Sequence, residues 1–312
     1  MVELRYEAPQ SLQAAVALLA GASGTARVLA GGTDVIVQME TDLIEPQLLV
    51  DIKKIAELRQ IVAENGGFRV GAAVPGMEIV EHAAFAEAWP GVVDGVKLIG
   101  SIQIKGRATV GGNLCNASPA ADSVPALVAA GAVARIVGAK GMREAAVETI
   151  PIGPGKTSLS KDEIVVSLFL PPRPAHASDA YLRFTPRTEM DIAVVGAGVN
   201  LTLDESGLIT DARVALGAVG PTVIVAEGAG AALIGSRLDE AALTAWASRS
   251  RAASSMGVPT SASDASRTSS TVGATAPSAT RAAVQIPRSS RVRLMPTPTT
   301  AMSISVRGVK RR

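Results

Sequence analysis

The alternation of apolar and polar positions divides the chain into short elements. Leu12, Val16 and Leu19 recur at helical spacing behind Ser11, whose hydroxyl can cap free N–H groups. This predicts a helix over 11–20, closed by Gly21 and Gly24. Apolar runs predict buried strands over 26–30 and 48–52, with Val35 to Met39 a short helix behind Asp34. Together these make a compact β–α–β unit over 1–53. Strands over 60–63 and 68–74 flank Asn65-Gly66-Gly67, a hairpin signal. A helical pattern runs over 76–100, broken at Pro90-Gly91. A short helix over 123–130 and strands over 132–138 and 163–170 then complete a second unit, 54–170. Pro171-Pro172-Arg173-Pro174 marks a boundary. Residues 192–203 and 208–219 predict a long antiparallel pair around Asp204-Glu205-Ser206-Gly207, and a helix starts at Asp239. The class is α+β, with a third unit over 175–247.

Two small-residue turns interrupt this pattern, each after an apolar, strand-like run. Ala30-Gly31-Gly32-Thr33-Asp34 follows Arg27-Val28-Leu29, and Gly111-Gly112-Asn113-Leu114-Cys115-Asn116-Ala117-Ser118-Pro119-Ala120-Ala121-Asp122 follows Ala108-Thr109-Val110. Such turns expose several backbone N–H groups with no side chain in the way, which suits a phosphate or pyrophosphate. Two of them point to a bound dinucleotide. Neither matches G-x-G-x-x-G or G-x-x-x-x-G-K-[ST], so the ligand sits on neither a Rossmann unit nor a P-loop.

Composition narrows the chemistry. The chain has 312 residues, enough for two or three packed units, and its 47% apolar content includes only 3% aromatics. Much of the apolar content is alanine, and no run of about 18 uncharged apolar residues occurs, so no membrane span is expected. The start lacks a basic region leading into an apolar stretch, so the expected location is cytoplasmic. One cysteine, Cys115, cannot hold an iron–sulfur cluster, and two separated histidines make a zinc site improbable. Any redox work falls to an organic cofactor.

At this point the chain resembles the FAD-binding subunit of the molybdenum hydroxylases, the xanthine dehydrogenase and carbon monoxide dehydrogenase family. Both turns carry the resemblance, as do Glu163-Ile164-Val165 and the segment from Arg183 to Ala193, over roughly residues 1–247. The resemblance implies a two-subdomain FAD-binding fold of the PCMH type, followed by a small α+β C-terminal domain with antiparallel strands. It implies FAD as cofactor, with a molybdopterin-binding large subunit and an iron–sulfur small subunit as partners, and no nucleic acid. Ala30, Gly31, Gly32, Thr33 and Asp34 would meet the pyrophosphate. Gly111 and Gly112 would bring backbone close to the flavin nucleotide, while Thr109, Asn113 and Asn116 hydrogen-bond phosphate or ribitol. Asp122 would accept from ribose hydroxyls, Ile99 would lie over one flavin face, and the Val165 backbone would meet the ring edge. Arg183 matches a position that is commonly lysine near the pyrimidine end of the ring, and the two are not interchangeable. No residue is expected to act as acid, base or nucleophile. Cys115 reads as a small hydrophobe without a chemical role.

Residue 248 marks a change of composition. From 249 to 312 there are ten Arg and one Lys against one acid, Asp264, leaving 19 basic and 27 acidic residues in 1–248. No helical or strand period survives there, and Ser, Thr, Ala, Pro and Arg dominate. The stretch reads as an atypical basic tail: either disordered or, the favoured reading, the out-of-frame product of a GC-rich gene. Two alternative functions stay open, a frameshifted product without activity and a stand-alone FAD oxidase.

Overall fold

The computed structural model describes residues 4–187 and 191–237, together with the backbone of 282–285 and 293–296. The predicted helix at Asp239 and most of the basic tail lie outside the described residues.

The first unit is a three-stranded parallel sheet of β1 (Arg5–Glu7), β2 (Ala26–Leu29) and β3 (Leu48–Asp51), in the order β1-β3-β2. Helix α1 (Leu12–Ala20) forms as its pattern dictates. Ser11 Oγ accepts from Ala14 N, and Leu12, Ala15, Val16 and Leu19 are buried. The second strand is less buried than expected, because β2 is an edge of the sheet and only Leu29 is fully covered. Strand β1, three residues long, shows no readable period. Helix α2 (Val35–Glu40) follows the first glycine turn.

The second unit is a five-stranded antiparallel sheet. Its strands are β4 (Ile61–Glu64), β5 (Gly67–Gly71), β6 (Val133–Gly138), β7 (Gly141–Ala146) and, after the small hairpin β8 (Pro151–Gly153) and β9 (Lys156–Thr157), the central β10 (Ile164–Leu170). Asn65 and Gly66 both take positive φ (50° and 76°), the conformation a two-residue hairpin turn needs. The pattern over 76–100 resolves into α3 (Gly76–Glu81), α4 (Ala83–Ala88) and α5 (Pro90–Lys97). Pro90 therefore starts a helix rather than breaking one, as a residue without an N–H can do at the first helical position. Helices α6 (Ile102–Lys105), α7 (Val110–Cys115) and α8 (Ser123–Ala129) complete the unit. Phe85, Val96, Leu114, Leu127, Ile136 and Leu168 form its core. The core of the first unit continues into Ala73 and Ile164, so the two units share a packed boundary.

The third unit is an antiparallel sheet of β11 (Ala177–Phe184), β12 (Val195–Leu203), β13 (Ile209–Gly217) and β14 (Ile224–Val225), with α9 (Glu227–Leu233) packed on it. Glycines let this sheet approach the second unit. A Cβ on Gly198 would meet Ala126 N at 2.8 Å, and one on Gly217 would meet Pro125 Cγ at 2.6 Å. Arg213 donates from Nε to Val128 O (2.7 Å) and pairs with Glu148 (2.6 Å). At the boundary predicted from the proline run, Arg173 donates to Ala88 O, pairs with buried Asp179 (2.8 Å) and lies over the Trp89 ring. Within the tail, Ala282–Gln285 and Arg293–Pro296 pair antiparallel. Runs of four residues are too short to show the period whose absence suggested no strand.

Candidate flavin site

The two glycine turns form one cleft of about 430 Å³. In the first, Gly32 takes φ +79°, and Ile36 N donates to Gly32 O (3.1 Å) to start α2. The role of Gly31 is different: a Cβ there would collide with Arg107 O and with Ala108 Cα (2.8 Å). Its missing side chain lets the first turn rest on the backbone leading into the second. Asp34 caps α2 by position only, without a side-chain hydrogen bond. Its surroundings strip enough water from the carboxyl to raise its pKa, although the side chain still meets solvent.

The second turn corrects the sequence reading. Ala108-Thr109-Val110 is no strand, apart from one bridge between Thr109 and Pro75. Thr109 is the N-cap of α7, its Oγ1 accepting from Gly112 N at 2.9 Å, and that local bond draws the segment into helix. The glycine pair lies inside this helix. Gly111 is required because a Cβ would meet Ala72 Cβ at 2.6 Å and Ala72 O at 2.7 Å. Neither Gly111 nor Gly112 takes positive φ.

Two amides face the cleft from this helix. Asn113 Oδ1 accepts from Ser123 Oγ (2.6 Å) and Ser123 N (3.4 Å). A backbone N–H can only donate, so the oxygen of Asn113 must face Ser123 and its NH₂ is left to donate elsewhere. Asn116 Oδ1 accepts from Gln38 Nε2 (3.0 Å), which joins α2 to α7 across the cleft. Gln38 escaped the sequence reading, though its position one helical turn after Asp34 (i, i+4) places it on the same face. Arg27, exposed on β2, also lines the cleft and was not anticipated.

The cleft is lined by Ala30, Gly31, Gly32, Thr33 and Asp34, by Ile99, and by Thr109, Gly111, Gly112, Asn113 and Asn116. Val165 of β10 closes the third side. Cys115 is half-buried there, and burial pushes its thiol up to about 12, so it stays protonated. Asp122 and Arg183 do not line the cleft. They pair with each other at 2.8 Å, and Asp122 also accepts from Tyr181 OH at 2.9 Å. Burial raises the Asp122 pKa, and the Arg183 charge with these two hydrogen bonds draws it only part of the way back.

The features fit a dinucleotide: one cleft lined by both glycine segments, amide NH₂ groups that donate, and an apolar wall from Ile99 and Val165. The matching family models decide which one. Residues 2–173 match the FAD binding domain in molybdopterin dehydrogenase, and residues 180–282 match the CO dehydrogenase flavoprotein C-terminal domain. The chain belongs to the FAD-binding subunits of the molybdenum hydroxylases. It is 35% identical over 221 residues to the xanthine dehydrogenase FAD-binding subunit of Escherichia coli O157:H7, covering 70% of this chain and 75% of that one. It is 29% identical over 243 residues to the carbon monoxide dehydrogenase medium chain of Hydrogenophaga pseudoflava, covering 78% and 84%. Among solved structures, carbon monoxide dehydrogenase from Hydrogenophaga pseudoflava superposes with a TM-score of 0.76 at 30% identity, covering 80% of this chain and 86% of that one. Quinoline 2-oxidoreductase from Pseudomonas putida 86 gives 0.72 at 29%, covering 79% and 85%. The molecule is therefore an oxidoreductase flavoprotein subunit with FAD as its cofactor. Among the described residues no helix is long and apolar enough to cross a membrane.

Proposed function

We propose that this chain is the electron-transfer flavoprotein of a three-subunit molybdenum hydroxylase. It takes electrons from an iron–sulfur small subunit, while substrate is oxidised on a molybdopterin-binding large subunit. The observation that carries this reading is the convergence of both glycine turns on one cleft, in a chain whose family binds FAD. FAD, when bound, supplies the redox chemistry and passes electrons to an acceptor such as NAD⁺, a quinone or oxygen.

The side chains have placement and electrostatics as their work. The first turn, 30–34, meets the pyrophosphate with backbone N–H groups. Asn113 and Asn116 donate from their NH₂ groups, and Ile99 with Val165 excludes water from the ring. We assign 1–53 and 54–170 as the FAD-binding subdomains and 175–247 as the C-terminal domain. The proposed location is the cytoplasm. Asp122 is proposed to accept from the ribose hydroxyls and Arg183 to lie near the pyrimidine end of the ring, each keeping hydrogen-bonding capacity beyond the ion pair they form with each other.

The test loads the full-length chain with FAD, reduces it anaerobically, and adds NAD⁺, a quinone and oxygen in separate samples. Return of the oxidised flavin spectrum with one of them supports the role and identifies the acceptor. A flavin that none of them reoxidises contradicts it. Reduction by an organic substrate without partner subunits would favour a stand-alone oxidase instead.

A further inference from the structure

The two donor amides of α7 are oriented from opposite sides of the cleft. Asn113 is set by Ser123, which is fully buried and gives it both a hydroxyl and an N–H. Asn116 has a fixed backbone: it is the C-cap of α7, and its N–H donates to Gly112 O at 2.8 Å. The next residue, Ala117, is 3% exposed, and its carbonyl accepts from Gly155 N at 3.1 Å. Among the described residues, however, no group on that side bonds the Asn116 amide, whose partner is Gln38 Nε2 on α2 at 3.0 Å. Gln38 also organises the segment that follows α2. Its carbonyl accepts from Leu43 N (2.8 Å) and Ile44 N (3.3 Å), which folds that segment back against the helix. Leu43 and Ile44 line the cleft, and Leu43 is 72% exposed. One residue thus ties α2, the mouth segment and α7 together, on a helix that buries none of its own residues.

We infer that Gln38 is the latch of the cleft and a positioning residue for FAD: its amide clips α2 to α7 and turns the Asn116 NH₂ toward the cofactor. This rests on the reading of the cleft as the FAD site. Asn113 keeps its donor face whether the α2 side is open or shut, whereas Asn116 presents its own only when that side is shut. Closure and the second donor contact are therefore one event, and opening releases both. The latch must be a donor. A side chain that can only accept draws the Asn116 NH₂ to itself and leaves Oδ1 facing a cofactor rich in phosphate and carbonyl oxygens, where it repels.

The test uses the full-length protein, with FAD dissociation constants and release rates read by flavin fluorescence and folding followed by apoprotein thermal unfolding. Gln38→Met keeps the length but removes the bond, and FAD leaves about fivefold faster, the net worth of one neutral hydrogen bond. Gln38→Lys can only donate, so it keeps Asn116 in place and binds within about twofold of wild type. Gln38→Glu can only accept and weakens binding about tenfold. In the Asn116→Ala background Gln38→Glu costs only about twofold, the repulsion of a distant charge in water, because no amide is left to turn. Unfolding temperatures stay at the wild-type value, since α2 buries no residue. Equal costs of Gln38→Glu in the two backgrounds show charge alone and overturn the inference. So do wild-type release from Gln38→Met, equal weakening by Gln38→Lys and Gln38→Glu, and an apoprotein that Gln38→Met destabilises, which marks a structural residue. A wild-type chain that retains no FAD overturns the flavin reading together with the inference, whereas normal wild-type binding with an uncoupled cycle overturns the inference alone.

Discussion

After the first glycine turn, helix α2 has no buried residue, and its Ile36 and Val37 are 46% and 52% exposed. After the second, helix α7 buries Val110, Gly111 and Leu114 and is capped by Thr109, itself 2% exposed. The first turn stands on a three-stranded sheet near the surface, with Asp34 making no cap bond. The second is backed by α8 and, through α8, by the whole C-terminal sheet. One side of the cleft is thus a rim with few apolar contacts, and the other is a fixed wall. Local opening is cheapest where buried contacts are fewest, so the cleft should open first at the rim. The fixed wall carries both donors and orients Asn113 from surroundings that do not yield.

The largest effect should come from loosening what stands behind the wall. Asp179 is 2% exposed, accepts from Val92 N (3.0 Å) and pairs with Arg173. Asp179→Ala leaves a half-buried arginine and the buried Val92 N–H without their carboxylate partner and should cost about 3–5 kcal/mol of unfolding free energy in urea. A loss below about 1 kcal/mol would mean the C-terminal sheet is not anchored there. Next, Leu114→Ala on the wall should cost about 2–5 kcal/mol, whereas Val37→Ala on the rim should stay within about 0.5 kcal/mol. Equal costs would erase the distinction between the two sides. Removing the wall's cap by Thr109→Ala should cost about 1 kcal/mol, and Asp34→Ala, which removes no cap bond, much less.

Acid titration gives the smallest and most specific contrast. In the first unit, burial pushes Asp51 up, but hydrogen bonds from Tyr6 and Lys53 more than offset it and leave its pKa below the ordinary 3.8. The unfolded chain then binds the proton first, so the stability that Asp51 contributes above 3.8 is lost as pH falls through its folded pKa. Asp122 behind the wall is raised above 3.8. There the folded chain binds the proton first, so stability falls as pH rises from 3.8 through the folded pKa. Unfolding free energy measured against pH should lose part of the lower slope in Asp51→Asn and part of the upper slope, which Asp34 and Asp179 share, in Asp122→Asn. A single slope lost in both would show that the two carboxyls are not held differently.

What the sequence disclosed follows the same division between local and distant causes. The Ser11 cap, the Asn65-Gly66 turn, helix α8 and the β12–β13 pair around Asp204-Glu205-Ser206-Gly207 were readable, because neighbouring residues determine each. The first glycine turn was readable for the same reason, whereas the second was visible as a glycine-rich segment but not as part of a helix. Strand β11 was not, since Ser178, Asp179 and Arg183 make a buried strand look like a loop until their partners elsewhere in the fold are known. Exposed β7, reading Gly-Met-Arg-Glu-Ala-Ala, carries no alternation of apolar and polar residues. Thr109 was misjudged because a capping threonine and a strand threonine differ only in what the hydroxyl binds. The pairing of Asp122 with Arg183 spans 61 positions, and no local pattern announces it. Likewise, Gly31 and Gly111 are glycines because distant backbone approaches them.

The most direct measurement is an FAD titration of the full-length chain, read by flavin fluorescence and by the absorbance spectrum after gel filtration. A saturable signal with flavin bands travelling with the protein is the predicted result. Flavin that elutes entirely apart from the protein, with fluorescence unchanged throughout the titration, would contradict the assignment of the two glycine turns to one FAD site.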